Sequence, residues 1–127
     1  MAKILLIDDS RLSRAMASEA LVSAGHVVVG VEDGRQGLAA YEEHRPDCIV
    51  LDLLMPQMDG YEFLRQLRNG GAAIPVIVAT ADIQETSRAL CKELGVSGFL
   101  NKPAKGNELV ACVETALAHC QELARCN

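Results

Sequence analysis

The chain has 127 residues, and at roughly 150 residues per domain this length predicts one domain over residues 1–127. Half of the residues are hydrophobic and 23% are charged, which excludes a disordered chain, and no apolar run approaches the roughly 20 residues of a membrane span. The net charge of −5 excludes nucleic acid as an expected partner, because nucleic-acid binding takes its affinity from clustered Lys and Arg.

The first predicted element is a strand at residues 4–7, which two acidic residues, Asp8 and Asp9, follow directly. The four apolar residues before this acid are too few for a secretory signal, so we expect a cytoplasmic protein. The cysteines agree with that compartment, because they form an odd set without a CxxC pair. We expect reduced thiols packed as small hydrophobic side chains, rather than a metal or redox site. The five are Cys48, Cys91, Cys112, Cys120 and Cys126.

Four more short apolar runs predict strands, at residues 27–31, 48–53, 75–79 and, more weakly, 98–100. These runs are almost continuously apolar, a pattern typical of a parallel sheet that is covered on both faces. Five helical patterns alternate with the strands. The first has a stripe of Leu12, Met16, Ala20 and Leu21 that ends at Gly25, and the others span residues 35–44, 61–68, 84–94 and 107–124.

This alternation of elements predicts the fold class. Five strands and five helices in 127 residues imply repeated βα units, whose right-handed crossovers place helices on both faces of the sheet. We therefore expect a doubly wound α/β protein with a five-stranded parallel sheet. In such open sheets, ligands bind just beyond the carboxyl ends of the strands.

Polar side chains follow four of the five predicted strands. They are Asp8 and Asp9 after the first, Asp52 at the end of the third, Thr80 after the fourth and Lys102 after the fifth. Two carboxylates about 4 Å apart repel by roughly 4 kcal/mol at an effective dielectric constant of about 20, so three of them together require a cation. Few oxygen ligands at an open site favour Mg²⁺. The alternative for Asp8 and Asp9 is a solvated strand end that caps the next helix.

Asp52 is the candidate nucleophile, because its carboxylate emerges from an apolar strand into the expected metal site. A carboxylate can attack phosphorus and carry the phosphoryl group as an acyl phosphate, provided that a metal ion and an ammonium neutralise the transferred oxygens. Lys102 would supply the ammonium, and Thr80 would donate its hydroxyl. Taken alone, Thr80 is equally explained by strand propensity, and Lys102 by solvation at the surface.

Competing catalytic motifs are missing from the sequence. It contains neither the phosphate-binding loop G-x-x-x-x-G-K-[ST] nor the dinucleotide motif G-x-G-x-x-G. Four early serines, Ser10, Ser13, Ser18 and Ser23, lack the context of an activated nucleophile. Three histidines, His26, His44 and His119, lie far apart without ligand partners at helical spacing, and we expect all three at the surface.

In combination, short motifs resemble the receiver domain of bacterial two-component response regulators, over the whole length of the chain. The motifs are Ile-Asp-Asp-Ser at 7–10, Asp33-Gly34, Pro46-Asp47, Ile-Val-Leu-Asp at 49–52, Met55-Pro56, Asp59-Gly60, Ala-Thr-Ala at 79–81 and Lys102-Pro103. The resemblance implies a flavodoxin-like or CheY-like fold with strand order 2-1-3-4-5. It also implies a signalling switch rather than an enzyme, a phosphoacceptor that assists its own phosphorylation and dephosphorylation.

The resemblance further implies the roles of the acidic residues. A sensor histidine kinase or a phosphotransfer protein would phosphorylate Asp52, with Mg²⁺ as the cofactor. Asp9, Asp52 and the backbone carbonyl of Leu54 would bind Mg²⁺ directly, and Asp8 would reach it through water. Leu54 and Asp82 would also tune the lifetime of the phosphoryl group.

The groups that would hold the phosphoryl oxygens are implied in the same way. They are the Thr80 hydroxyl, the backbone amide of Ala81 and the Lys102 ammonium. The switch of the family would couple Thr80 to Phe99, which plain core packing explains equally simply. We expect Thr80 to move towards the phosphoryl group and to vacate space beneath Phe99.

The output surface implied by the resemblance lies on the fourth helix, the fifth strand and the fifth helix, where a downstream protein would bind. Its candidates are Ser87, Arg88, Cys91, Lys92, Glu93, Lys105, Glu108 and Cys112. Neither nucleic acid nor a membrane is expected as a partner. One alternative is a receiver fragment of a longer multidomain regulator. Another is an aspartate-nucleophile phosphohydrolase, which usually has a second aspartate where this chain has Leu54.

Overall fold

The chain forms a doubly wound α/β structure. A computed structural model describes the backbone of residues 2–53, 60–71, 73–81, 89, 92–102 and 105–126, with side chains up to residue 119. The strands are β1 (Lys3–Ile7), β2 (Val27–Val31), β3 (Cys48–Leu51), β4 (Val76–Thr80) and β5 (Gly98–Asn101). The helices of the described part are α1 (Arg11–Ser23), α2 (Gly34–His44), α3 (Gly60–Asn69) and α4 (Gly106–Cys126). None of these helices is both long and apolar enough to cross a membrane.

The five strands form one parallel sheet in the order β2-β1-β3-β4-β5, which confirms the expected topology. Their carboxyl ends are aligned, because Ile7 of β1 lies opposite Val31 on one side and opposite Leu51 on the other. The residues that follow β1 and β3 therefore emerge at the same edge of the sheet.

Hydrophobic cores cover both faces of the sheet, as the continuous apolar runs predict. Side chains alternate between the faces along each strand, so Ile7 packs in the core beneath α2 and α3, and Leu6 in the core beneath α1 and α4. Phe63 fills the first core and is fully buried. Cys48 belongs to the second core, where it is fully buried, as expected of a small hydrophobic side chain.

Four of the five strands differ from the sequence prediction by one or two residues. The strand β1 begins one residue earlier than predicted, and β5 ends one residue later. The strand β3 ends at Leu51 rather than at residue 53, and only the backbone N–H of Asp52 still pairs with β1, donating to the Ile7 carbonyl at 2.9 Å. The strand β4 begins and ends one residue later than predicted, which makes Thr80 its last residue. The predicted helix at 84–94 falls largely outside the described residues, although Lys92 and Glu93 are helical.

The helix α1 begins at a serine cap, where the Ser10 hydroxyl accepts a hydrogen bond from the Ser13 N–H at 3.2 Å. Only part of its apolar stripe packs on the sheet. Leu21 is fully buried, whereas Leu12 is 72% exposed and Met16 is 63% exposed. The amino-terminal half of α1 therefore presents large apolar side chains to solvent.

The expectation that all three histidines lie at the surface is wrong for His26. This residue is 9% exposed and lies between the turn that ends α1 and the start of β2. Its Nδ1 accepts a hydrogen bond from the Ala2 N–H at 3.2 Å, and its Nε2 lies 3.6 Å from a Glu114 carboxylate oxygen. A position just outside a strand has no periodicity that would reveal its burial.

Candidate functional site

Four polar side chains gather at the carboxyl edge of the sheet, each carried by a different strand. Asp8 follows β1, Asp52 follows β3, Thr80 ends β4 and Lys102 follows β5. The backbone N–H of Lys102 donates to the Thr80 carbonyl at 2.8 Å, which holds the ends of β4 and β5 together. Residues 94 positions apart in the sequence, Asp8 and Lys102, are thereby in direct contact.

Three carboxylates form the centre of this edge. One oxygen from each of Asp8, Asp9 and Asp52 lies within 4.8 Å of the others. Asp8 and Asp52 are 3% and 7% exposed, while Asp9 is open to solvent. Carboxylates so close together, two of them poorly hydrated, repel one another strongly, and the cluster requires positive charge.

Lys102 supplies part of that positive charge. Its Nζ lies 2.5 Å from Asp8 Oδ2 and 3.2 Å from Asp52 Oδ2. Burial by itself lowers the pKa of the Lys102 ammonium, but the hydrogen bond to Asp8 and the charges of Asp52 and Asp8 outweigh burial and raise that pKa above its ordinary value of 10.5. The ammonium is therefore charged at neutral pH.

The donor set fits a hard divalent cation. A single ammonium among three carboxylates leaves an excess of negative charge, and carboxylate oxygens are the ligands that Mg²⁺ prefers. Asp8, Asp9 and Asp52 are the residues that could hold such an ion. The resemblance to receiver domains adds the carbonyl of Leu54 to this set, but Leu54 lies outside the described residues.

Asp8 is fixed by residues that the sequence reasoning did not select. Its Oδ1 accepts from the Ser10 N–H at 2.9 Å, and its Oδ2 accepts from the Ser13 hydroxyl at 2.8 Å. Arg14 donates to the Asp8 backbone carbonyl at 2.7 Å. The short connection between β1 and α1 could have indicated these contacts, because a helix that begins at Arg11 must fold its first turn back onto the end of β1.

Gly60 determines the path of the chain past Asp52. Its N–H donates to the Leu53 carbonyl at 3.1 Å. A Cβ at position 60 would lie 2.6 Å from Leu53 Cα and 2.9 Å from the Asp52 carbonyl oxygen, so only glycine fits without displacing backbone atoms. The first residue of α3 is therefore packed directly against the segment that carries Asp52.

Thr80 and Phe99 lie on the same face of the sheet. Phe99 is opposite Val78 in the pairing of β4 with β5, and side chains two apart on a strand share a face. Thr80 is fully buried, and Phe99 is half-buried against the core beneath α2 and α3. Ala81 follows Thr80 and is exposed, while Asp82 lies outside the described residues.

A hollow of about 420 Å³ opens between α1 and α4 beside the acidic cluster. Asp8, Asp52 and Lys102 lie at its polar end, and most of the remaining lining is apolar, including Leu12 and Met16. The acidic cluster is therefore accessible from a side whose wall is apolar.

Known proteins resemble this chain along most of its length. A family model for the response regulator receiver domain matches residues 4–114. Protein PilH of Pseudomonas aeruginosa is 34% identical over 120 residues, covering 93% of this chain and 99% of PilH. The alkaline phosphatase synthesis transcriptional regulatory protein PhoP of Bacillus subtilis is 34% identical over 115 residues, and the chain spans 48% of its length. The structure of the chemotaxis protein CheY4 of Vibrio cholerae has a TM-score of 0.86 at 33% identity, covering 91% of this chain and 98% of CheY4.

Proposed function

The chain belongs to the response regulator receiver domain family, whose members are phosphorylation-activated switches of two-component systems, and we propose that Asp52 is its phosphoacceptor. Response regulators interact with kinases and with downstream targets, and in general they are not catalytic enzymes. We further propose that residues 1–127 form one receiver domain and that it meets both kinds of partner in the cytoplasm.

The surroundings of Asp52 support this assignment. Its Oδ2 lies 3.2 Å from the Lys102 ammonium, and its side chain is 9% exposed. Phosphoryl transfer onto a carboxylate needs positive charge beside the transferred oxygens, and such charge acts most strongly where water is scarce. Asp8 is less suited to attack phosphorus, because Ser10, Ser13 and Lys102 donate to its two oxygens.

In the proposed reaction, a carboxylate oxygen of Asp52 bonds to phosphorus while the bond from phosphorus to the donor's histidine nitrogen breaks. The products are an acyl phosphate on Asp52 and a free imidazole on the donor. Lys102 turns on its flexible stem from Asp52 to the phosphoryl oxygens. Thr80 and the Ala81 amide donate to the same oxygens. These groups also assist the later attack of water, and Leu54 and Asp82 set how long the acyl phosphate lasts.

Asp8, Asp9 and Asp52, together with the Leu54 carbonyl, are the proposed residues of the Mg²⁺ site. A bound Mg²⁺ neutralises the charge on the transferred oxygens. The support is the excess of negative charge that Lys102 leaves in a cluster whose oxygens lie within 4.8 Å of one another. The chain itself keeps the carboxylates in place for that ion.

The proposed output follows from the new charge on Asp52. Thr80 moves towards the phosphoryl oxygens, and Phe99, on the same sheet face, repacks into the space released. The affected surface comprises the 84–94 segment, β5 and α4, where a downstream protein binds. Turning a 1:99 mixture of conformations into 99:1 takes about 5.5 kcal/mol, so several contacts must change together. The described polar side chains of this output surface include Lys92, Glu93, Lys105 and Glu108.

The phosphodonor is proposed to dock over α1. A donor must bring phosphorus to Asp52, and the hollow beside Asp52 is bordered by Leu12 and Met16, which are 72% and 63% exposed. Exposed large apolar side chains beside a reactive group are typical of a protein contact. A protein partner is favoured over nucleic acid, because the net charge of the chain is −5.

The proposal is tested by phosphorylation with acetyl phosphate in the presence of Mg²⁺, read by intact-protein mass spectrometry. We expect one phosphoryl group on the unmodified protein and none on Asp52→Asn. The matched control is Asp33→Asn, because the Asp33 side chain accepts from the Gln36 N–H as the cap of α2, a role that Asn also fills. Labelling that persists in Asp52→Asn contradicts the assignment of Asp52.

Two further outcomes separate the parts of the proposal. Labelling of the unmodified protein that is unaffected by EDTA would contradict the Mg²⁺ site. Release of many equivalents of phosphate per chain from p-nitrophenyl phosphate would favour the phosphohydrolase instead of a switch.

A further inference from the structure

We propose that Ser13 is a positioning residue that holds the Asp8 carboxylate at the metal site independently of Lys102. This inference rests on the proposed function and deepens it, because it concerns how the acidic cluster keeps its geometry while Lys102 moves. Ser13 is not a member of the acidic cluster. It acts only through Asp8.

The Asp8 carboxylate accepts three hydrogen bonds within the described structure. The Ser10 N–H donates to Oδ1 at 2.9 Å, the Ser13 hydroxyl donates to Oδ2 at 2.8 Å, and Lys102 Nζ lies 2.5 Å from the same Oδ2. Ser13 and Lys102 therefore share one carboxylate oxygen. Asp8 is 3% exposed, so water does little to replace either donor.

The two donors on Oδ2 differ in what else they do. Lys102 also reaches Asp52 at 3.2 Å, and under the proposed function its long stem carries the ammonium on to the phosphoryl oxygens. Ser13 has one side-chain torsion, and its own N–H is bound to the Ser10 hydroxyl at 3.2 Å in the first turn of α1. When Lys102 turns away, the Ser13 hydroxyl remains on Asp8.

A hydroxyl is suited to this role because it is neutral. It orients the carboxylate and leaves the negative charge of Asp8 available to a cation, whereas an ammonium at the same place would cancel that charge. The nearest cation on α1 is consistent with this division, because Arg14 donates to the Asp8 backbone carbonyl and not to its carboxylate.

The test is the Mg²⁺ dissociation constant of the unphosphorylated protein, measured by isothermal titration calorimetry. We expect Ser13→Ala to weaken Mg²⁺ binding roughly tenfold, the size usual for loss of a group that orients a metal ligand. Ser13→Thr keeps the hydroxyl and should bind within about twofold of the unmodified protein. An unchanged dissociation constant in Ser13→Ala overturns the inference.

The matched control is Ser10→Ala, which removes a hydroxyl from the same turn but keeps the Ser10 N–H that donates to Asp8. It weakens the cap of α1, so a purely structural role of Ser13 predicts equal loss of Mg²⁺ affinity in both variants. Equal losses therefore contradict the positioning role. Urea unfolding of each variant shows that the folded state is being compared.

A double-mutant cycle tests independence from Lys102. In the Lys102→Met background, Asp8 has lost its other Oδ2 donor, so Ser13→Ala should weaken Mg²⁺ binding by at least the same factor as in the unmodified protein. A smaller factor shows that Ser13 acts only together with Lys102 and argues against the inference. Absence of Mg²⁺ binding by the unmodified protein contradicts the proposed function itself, which distinguishes the two failures.

Discussion

The Lys102 ammonium lies 2.5 Å from Asp8 Oδ2, a contact that ties the end of β5 to the end of β1 across the sheet. The Lys102 side chain is 21% exposed and that of Asp8 only 5%, so the pair is largely withdrawn from water. Removing one partner of such a pair leaves a charge that is poorly hydrated and unbalanced.

The first prediction follows from that charge. Lys102→Met should lower the free energy of unfolding by about 2–3 kcal/mol in EDTA, below the cost for fully buried pairs because Lys102 is partly exposed. Millimolar Mg²⁺ should restore most of the loss, since the ion takes over the neutralisation of Asp8 and Asp52. Urea titrations with and without Mg²⁺ measure both effects.

The matched control is Lys105→Met, which replaces an exposed lysine three residues along the chain. We expect this variant to change stability by less than about 0.5 kcal/mol. If Mg²⁺ stabilises both variants by the same amount, then Lys102 and the ion do not substitute for each other.

The second prediction concerns pH. Because the folded state raises the pKa of Lys102 above 10.5, the stabilisation from Lys102 should be fully present below pH 10.5 and should decline as the pH rises through the raised pKa. The difference in unfolding free energy between the unmodified protein and Lys102→Met, both in EDTA, should therefore be flat at neutral pH and shrink in alkali. A difference that already shrinks between pH 7 and 9 would contradict this sign.

Much of the fold and the site could be predicted from local patterns. Each buried strand is a short apolar run, and the first polar residue after it, such as Asp8 or Asp52, is placed by the parallel arrangement alone. The register of the parallel strands also places Lys102 at this edge, because the end of β5 lies beside the end of β4.

Other features depend on rotations and packing that a local pattern does not specify. The stripe on α1 does not reveal that Leu12 and Met16 are exposed, because periodicity identifies the apolar face of a helix but not how much of that face the neighbouring elements cover. His26 is in contact with Ala2 and Glu114, which are far from it in the sequence. The hydroxyl of Ser13 reaches Asp8 only because α1 begins so close to β1.

The third prediction concerns Gly60. A Cβ there would lie 2.6 Å from Leu53 Cα and 2.9 Å from the Asp52 carbonyl oxygen, and backbone atoms cannot move aside as a flexible side chain does. Gly60→Ala should therefore destabilise the protein by about 1–3 kcal/mol, and phosphorylation by acetyl phosphate should slow because Asp52 is displaced. Urea titrations measure the loss of stability, and a labelling time course with acetyl phosphate measures the rate of phosphorylation.

Gly70→Ala is the control for the same substitution at the other end of α3. Its Cβ would meet carbonyl oxygens of Gln66 and Leu67 no closer than 3.5 Å, so we expect a neutral effect or a gain of up to about 1 kcal/mol. Equal destabilisation in both variants would mean that the loss in Gly60→Ala is not caused by the contact with Leu53 and Asp52.

The fourth prediction separates phosphorylation from switching. Thr80→Val keeps the shape of a fully buried side chain but removes the hydroxyl, so beryllofluoride should still bind at Asp52 while the chemical shift change at Phe99 falls to roughly half or less. The control is Thr115→Val on α4, where the exposed hydroxyl donates to the Ala111 carbonyl of the same helix. A full response in Thr80→Val would remove Thr80 from the proposed switch.

The fifth prediction concerns the docking of the phosphodonor on α1. Leu12→Ser and Met16→Gln change exposed side chains at the wall of the hollow, so neither should affect labelling by acetyl phosphate, which needs no protein contact. Transfer from a phosphorylated histidine kinase core should slow roughly fivefold or more, as for the loss of a central contact in an interface.

Val22→Ser supplies the comparison within the same helix. Val22 is 54% exposed, like the other two residues, but it lies about 15 Å along α1 from Leu12, since each helical residue advances about 1.5 Å. Its replacement should leave both phosphodonors unaffected. If Val22→Ser slows transfer from the kinase as much as Leu12→Ser does, the contact is not localised beside Asp52. If none of the three variants slows it, the donor does not approach over α1.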